Sequence, residues 1–322
     1  MSASSRVLAA GAREKGWFAR LTQSRELLSV LLMAPALIVL LVVFAYPVAR
    51  TFEMAFQAVN LTRPEEGTPF IGLGNYIWLL TQNDLFWLSL ENTVILSALT
   101  IALELSVGMV IALLLVDPFP GLSIVRGVFF LPWAIPNIVV AWLMRMYLQP
   151  RFGLVNQVIT TVLNGLGLHH GLFLFDWLGD PTVALVTVSL VSVWKGLPFV
   201  ILVLLAGLQA IPRELGEAAR IDGASSWQEF RYVTLPSLRL IILVVMIFRV
   251  ISTFNGFDLV WLLTGGGPGN ATRVLSIEVY NRAFVAYQMG RAASLTTLMF
   301  LFLGAMVYVL LTLRREEAER QT

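Results

Sequence analysis

Six runs of this chain are apolar over more residues than an ordinary soluble core uses, and they limit the fold more than any other feature. They cover residues 27–49, 92–116, 124–148, 183–208, 238–264 and 292–313. A helix needs about 20 residues to cross ~30 Å of hydrocarbon, so each run is long enough to span a bilayer. Open backbone in lipid would leave N–H and C=O groups unpaired, which makes these segments helices and not strands. The first run is too long for a signal-peptide core and lacks a small-x-small exit, so it reads as an uncleaved span. The expected fold is an all-α integral membrane protein of six transmembrane helices.

Composition agrees: 57% of residues are hydrophobic and 13% are charged, against roughly 25% charged in ordinary soluble domains. The net charge of +2 is small and the arginines are scattered, which argues against a nucleic-acid partner. With no cysteine there is no disulfide, thiolate metal site or cysteine nucleophile.

Six spans put both termini on one side. Residues 1–26, 117–126, 209–239 and 314–322 carry roughly twice the arginine and lysine of the opposite loops, so the positive-inside rule makes both termini cytoplasmic. The expected organisation is a cytoplasmic N-terminal tail at 1–26, a six-span domain at 27–313 with a cytoplasmic loop at 209–237, and a cytoplasmic C-terminal tail at 314–322. The membrane is the cell's plasma or inner membrane, crossed several times.

The 209–237 loop is the one helical stretch with a soluble character. Pro212 suits a first helical position, Glu214 and Glu217 complement the positive helix end, and Gly223 ends the helix. Ser226 with Glu229 three residues on reads as a capping box that opens a second short helix, and Pro236 closes the segment. The pattern Glu217-Ala218-Ala219, three residues, Gly223, nine residues, Val233-Thr234-Leu235-Pro236 resembles the EAA loop of binding-protein-dependent ABC importer permeases, with Val233 where isoleucine is usual. The chain is similar to carbohydrate permeases of the maltose-transporter MalF type.

That resemblance implies a MetI/MalF-like fold and a cytoplasmic coupling helix seated in a cleft of an ATP-hydrolysing subunit. Its coupling residues would be Glu217, Ala218, Ala219, Asp222, Gly223, Leu235 and Pro236. The implied partners are a second, MalG-like permease, two ATPase subunits, an extracytoplasmic sugar-binding protein and the lipid bilayer. Two outer segments, Phe70-Ile71-Gly72-Leu73-Gly74-Asn75-Tyr76 and Gly153-Leu154-Val155-Asn156, resemble stretches common in sugar permeases.

Polar residues inside the spans point to a path. Glu104, Arg145, Lys195, Arg249 and Asp258 lie in apolar runs, where an ionisable group costs at least ~2.5–3.5 kcal/mol on insertion scales and so faces a partner or a wet cavity. Ser192-Val193-Trp194-Lys195-Gly196-Leu197-Pro198-Phe199 sets glycine and proline in a span, and Phe254-Asn255-Gly256-Phe257-Asp258 mixes rings, an amide and a carboxylate. Apolar ring faces suit a sugar's C–H face, and polar groups suit its hydroxyls. Both segments resemble the parts of MalF-type permeases that line the sugar site, implying a lining of Ser192, Trp194, Lys195, Gly196, Phe199, Phe254, Asn255 and Asp258. Lys195 and Asp258 are expected to face one cavity and to pair across it. The competing reading of these residues is a helix-packing notch beside a buried ion pair.

Catalytic chemistry is not visible. The only lysines are Lys15 and Lys195, and neither follows a phosphate-binding glycine loop; Gly265-Gly266-Gly267-Pro268-Gly269 reads as a flexible outer turn. His169-His170 lacks the spacing of a metal site. The chain is therefore expected to be a transport subunit and not an enzyme, with no cofactor of its own and with ATP and Mg bound by partner ATPase subunits. The alternative function is a self-sufficient ion-coupled carrier or channel using Glu104, Arg249 or Asp258 as a charge relay; a scaffold without a path is a further rival.

Overall fold

The computed structural model describes residues 25–168 and 171–319, and among them the regular elements are helices; one isolated β-bridge joins Gln57 to Phe70. The expected N-terminal tail lies almost wholly outside the described residues, as do His169-His170 and residues 320–322.

The first span runs through α1 (Arg25–Leu40), a π-helical turn (Leu41–Ala45) and α2 (Tyr46–Met54). It reaches Met54, five residues past the expected end, and its apolar stretch buries nothing against the rest of the chain. Only its C-terminal end docks, where Phe52 meets Phe300 edge-on at 5.9 Å.

The centre of the bundle is α4 (Asp84–Val116) packed along α8 (Ala184–Gln209). Both are apolar nearly all round, as helices surrounded by other helices or lipid must be. Ala112, Leu115, Val200, Ile201, Leu204, Leu205 and Leu208 form one core between them, closed by Leu238 and Val245. Lipid tails are as apolar as leucine, so this core gains chiefly from close van der Waals packing.

Two expected spans are broken. Residues 124–148 form α5 (Leu122–Ala134) and α6 (Asn137–Tyr147), bent by 98°. Proline disfavours a helical residue before it, and Ile135, preceding Pro136, is extended at φ −77° and ψ 129°. Residues 238–264 likewise split into α12 (Arg239–Phe254) and α13 (Asp258–Thr264), separated by Asn255-Gly256-Phe257. At 16 residues α12 is short for a span by itself; it continues from the 226–237 helix across a 65° bend. Among the described residues four helices are thus long and apolar enough to cross a membrane, and six spans result when each bent pair counts as one.

The other elements fill the end opposite the 209–237 loop. They are α3 (Gly74–Gln82), α7 (Leu154–Gly165) and α14 (Leu275–Tyr280), which runs on through a π-helical turn (Asn281–Val285). The two short motifs at 70–76 and 153–156 each supply a buried asparagine. Asn75 donates to the carbonyls of Ala55 and Gln57 at 3.0 and 2.9 Å, and Asn156 donates to Pro150 and Phe175 while accepting from Trp177. The glycine-rich turn is held too, since Thr272 Oγ1, fully buried, donates to Gly267 O at 2.7 Å. The last helix, which we number α15, spans Met289–Glu319 and extends into the expected C-terminal tail.

On the loop side, α9 (Arg213–Ile221) is followed by Gly223 at φ +85°, then α10 (Ser226–Glu229), a π-helical turn (Phe230–Thr234) and α11 (Leu235–Ser237). Helix, glycine bend, helix is the expected order, with corrections in detail. Pro212 is the N-cap and not the first helical residue. The capping box is Ser225 with Gln228, one residue earlier than expected. Pro236 stands inside a continuing helix, and the bend comes at Leu238.

Candidate functional site: a cavity in the bundle and a charged loop

A cavity of about 540 Å³ opens where α8, the end of α5, α12 and the break before α13 meet. Its apolar wall is the ring pair Phe199–Phe248, with centroids 4.6 Å apart. Asn255, Asp258, Ser192 and Ser252 supply polar atoms to the same space. The helix break explains how Asn255 and Asp258 come to line it: Gly256 turns the chain, and its carbonyl accepts from Ser276 Oγ at 3.0 Å. Asp258 has no ion-pair partner among the described residues.

The charged residues sort into two arrangements. Arg249 donates both Nε and Nη2 to the two oxygens of Glu104, at 2.5 and 2.6 Å, with Glu104 fully buried. This fork is the strong geometry for such a pair. A Cβ on Gly196 would run into Glu104 Oε1 and Arg249 Nη2. Gly196 therefore makes room for the pair, which is the packing-notch alternative, although it also borders the cavity.

Lys195 does not pair with Asp258. Its Nζ donates to the carbonyls of Pro132, Trp133 and Ile135, at 2.9, 2.9 and 2.6 Å. Lys195 nevertheless lines the cavity beside Asp258, whereas two other expected lining residues lie elsewhere. Phe254 is buried in a core with Leu79, Phe86, Leu275 and Leu295, and Trp194 is absent from the cavity wall. Side chains of neighbouring helical residues diverge by about 100°, so a motif of consecutive residues cannot line one face.

Arg145 lies at the end of α6, with its guanidinium 5.9 Å over the Trp142 ring. Sequence reasoning missed Glu278, a fully buried carboxylate held by Arg273 at 2.8 Å and Arg282 at 2.7 Å. Arg282 also donates to Asn83 and lies over Trp78, tying α14 to the start of α4. The usable signal was an acid with an arginine one helical turn on, Glu278 and Arg282, and a second arginine five residues before it, in a segment read as an outer loop.

At the other end, a second cavity of about 530 Å³ lies between the loop and the ends of α4 and α8, with Asp117, Arg213, Glu217 and Arg220 on its walls. Arg220 reaches across the glycine bend to Glu229, 2.9 Å from Nε to Oε2. That hydrogen bond, with the Glu229 charge, raises the arginine pKa further above its usual value, so the link persists through neutral pH. Glu217, Ala218, Asp222 and Gly223 are exposed, Ala219, Leu235 and Pro236 are half-buried, and Ile221 and Trp227 stand out at 86% and 69% exposure. This surface is apolar and acidic together, and none of the described residues covers it.

The family model described as binding-protein-dependent transport system inner membrane component matches residues 104–315. The trehalose/maltose transport system permease protein MalF of Thermococcus litoralis is 36% identical over 283 residues, 88% of this chain and 92% of that protein. The sulfoquinovosyl glycerol transport system permease protein SmoG of Agrobacterium fabrum is also 36% identical, over 88% of this chain and 89% of its own length. In fold the chain resembles a bacterial ABC transporter involved in import of the acidic polysaccharide alginate, with a TM-score of 0.76 at 24% identity over 93% of this chain and 98% of that one. A chain from that alginate transporter in complex with an alginate pentasaccharide-bound periplasmic protein gives a TM-score of 0.74 at 23% identity, over 91% of this chain and 95% of that one.

Proposed function

Because the chain belongs to the family of binding-protein-dependent transport system inner membrane components, we propose that its central cavity is one half of a sugar path and that its 209–237 loop joins that path to a separate ATPase. The chain is a multi-pass membrane permease subunit and not an enzyme. A self-sufficient carrier or channel does not account for that membership. In this reading both termini and the loop face the cytoplasm.

The observation that carries the sugar reading is the cavity's chemistry. The Phe199–Phe248 ring pair lines it together with the Asn255 amide, the Asp258 carboxylate, the Ser192 hydroxyl and Lys195. A pyranose has an apolar face and a rim of hydroxyls, and these groups answer both. The curated relatives named above are permeases for trehalose or maltose and for a sulfoquinovosyl glycerol, which supports a sugar or glycoside as the solute. The partners in this reading are a MalG-like permease completing the cavity, two ATPase subunits holding ATP and Mg, and an outer sugar-binding protein. Substrate moves inward as ATPase closure, transmitted through α9, shifts a two-state bundle.

Labelled-sugar uptake tests the path. Asn255→Ala and Asp258→Asn should each lower uptake about tenfold, the loss of roughly one hydrogen bond to a charged or polar group, with normal complex abundance. Normal uptake in both variants would remove this cavity from the route.

A further inference from the structure

Pro136 has no N–H, so the Pro132 carbonyl four residues earlier has no helical partner. The chain then turns by 98° between α5 and α6, which takes the Trp133 and Ile135 carbonyls out of helical register as well. Carbonyls left open at membrane depth need a donor from elsewhere. Lys195, on α8, places its ammonium within 2.6–2.9 Å of all three. An ammonium has three N–H groups, so this one is fully used.

We propose that Lys195 is a positioning residue, a tethered cation that latches the bent α5–α6 span to α8, and not a group that binds the solute. The site is specific to a cation with N–H groups: three oxygens converge on one point at the negative end of α5, where a positive charge is favoured. The latch also links halves of the bundle. Helix α5 packs on α8 and α6 packs on α13, the helix that brings Asp258 to the cavity. A fixed bend sets how the α6–α13 pair stands over the cavity, so releasing Nζ should loosen that pair while leaving the cavity's own polar groups in place.

The chain has no cysteine, so two introduced ones are its only labelling sites, and they report alone once the partner subunits are made cysteine-free. Ile124 on α5 and Met146 on α6 are exposed, and cysteines there can carry spin labels in the complex purified with its partner subunits. Were the two helices one straight rod, the positions would lie about 33 Å apart; the bend brings them closer. With Lys195 in place the distance distribution should be narrow and short. Lys195→Met should broaden it toward longer values without any solute present. Lys195→Ala should broaden it too, and propylammonium should restore the narrow distribution saturably, whereas tetramethylammonium, which has the charge but no N–H, should not. If Lys195→Met fails to accumulate, the alanine variant purified with and without propylammonium still decides. Unchanged distances in the variants, or equal effects of the two cations, would overturn the latch. The readout requires no transport, so it stands or falls separately from the sugar path.

Discussion

At the scale of single residues, the buried ion pair is the most exacting arrangement in the bundle. Glu104 and Arg249 are separated by 145 positions and meet in a two-bond fork with Gly196 beneath it. Removing one partner leaves a buried charge alone, so Arg249→Met should cost about 3–5 kcal/mol and deplete the folded protein from the membrane. The double variant Arg249→Met with Glu104→Gln should recover most of that loss. Gly196→Ala should destabilise by roughly 1–3 kcal/mol because its methyl meets the fork. Thermal melts in detergent check all three, and a double variant no better than Arg249→Met would remove the pair from the account. The sequence showed these charges as costly and in want of partners, but not who paired with whom. Lys195 and Asp258 were matched by sign, yet the donor-hungry backbone of α5 lies nearer. Glu278 was overlooked because hydropathy treats a charged outer segment as solvated, whereas α14 folds inward and buries it.

At the scale of elements, hydropathy located the apolar runs well and their directions poorly. Residues 124–148 and 238–264 each read as one apolar run, but the backbone turns at Ile135-Pro136 and breaks at residues 255–257 without any change in hydrophobic content. The loop was legible as helix, bend and helix because caps and glycine act locally. Its capping box slipped by one residue because Ser225-Ser226 and Gln228-Glu229 offer two registers; Glu229 instead bonds Arg220 across the bend. That bend depends on Gly223 at φ +85°, a value proline cannot reach and other residues adopt at a cost of about 1–2 kcal/mol. Gly223→Pro should therefore misdirect α9 while the membrane helices stay folded. Pull-down should show the ATPase lost at normal membrane abundance of this chain. Retained ATPase together with normal uptake would end the coupling role of the loop.

At the scale of the whole molecule, the proposed function makes this chain one part of an assembly. Its first span, from Leu32 to Met54, buries none of its apolar stretch, and the cavity is not fully enclosed by the described residues. Lipid can cover α1, but an open cavity at membrane depth calls for a second wall. Loop, cavity and family membership together describe one subunit of a larger machine that hydrolyses ATP elsewhere. The measurement that tests this most directly is the native mass of the complex purified through a tag on this chain. The account predicts one copy of this chain, one different permease and two ATPase subunits; a stable assembly of this chain alone, or one lacking any ATPase, would contradict it.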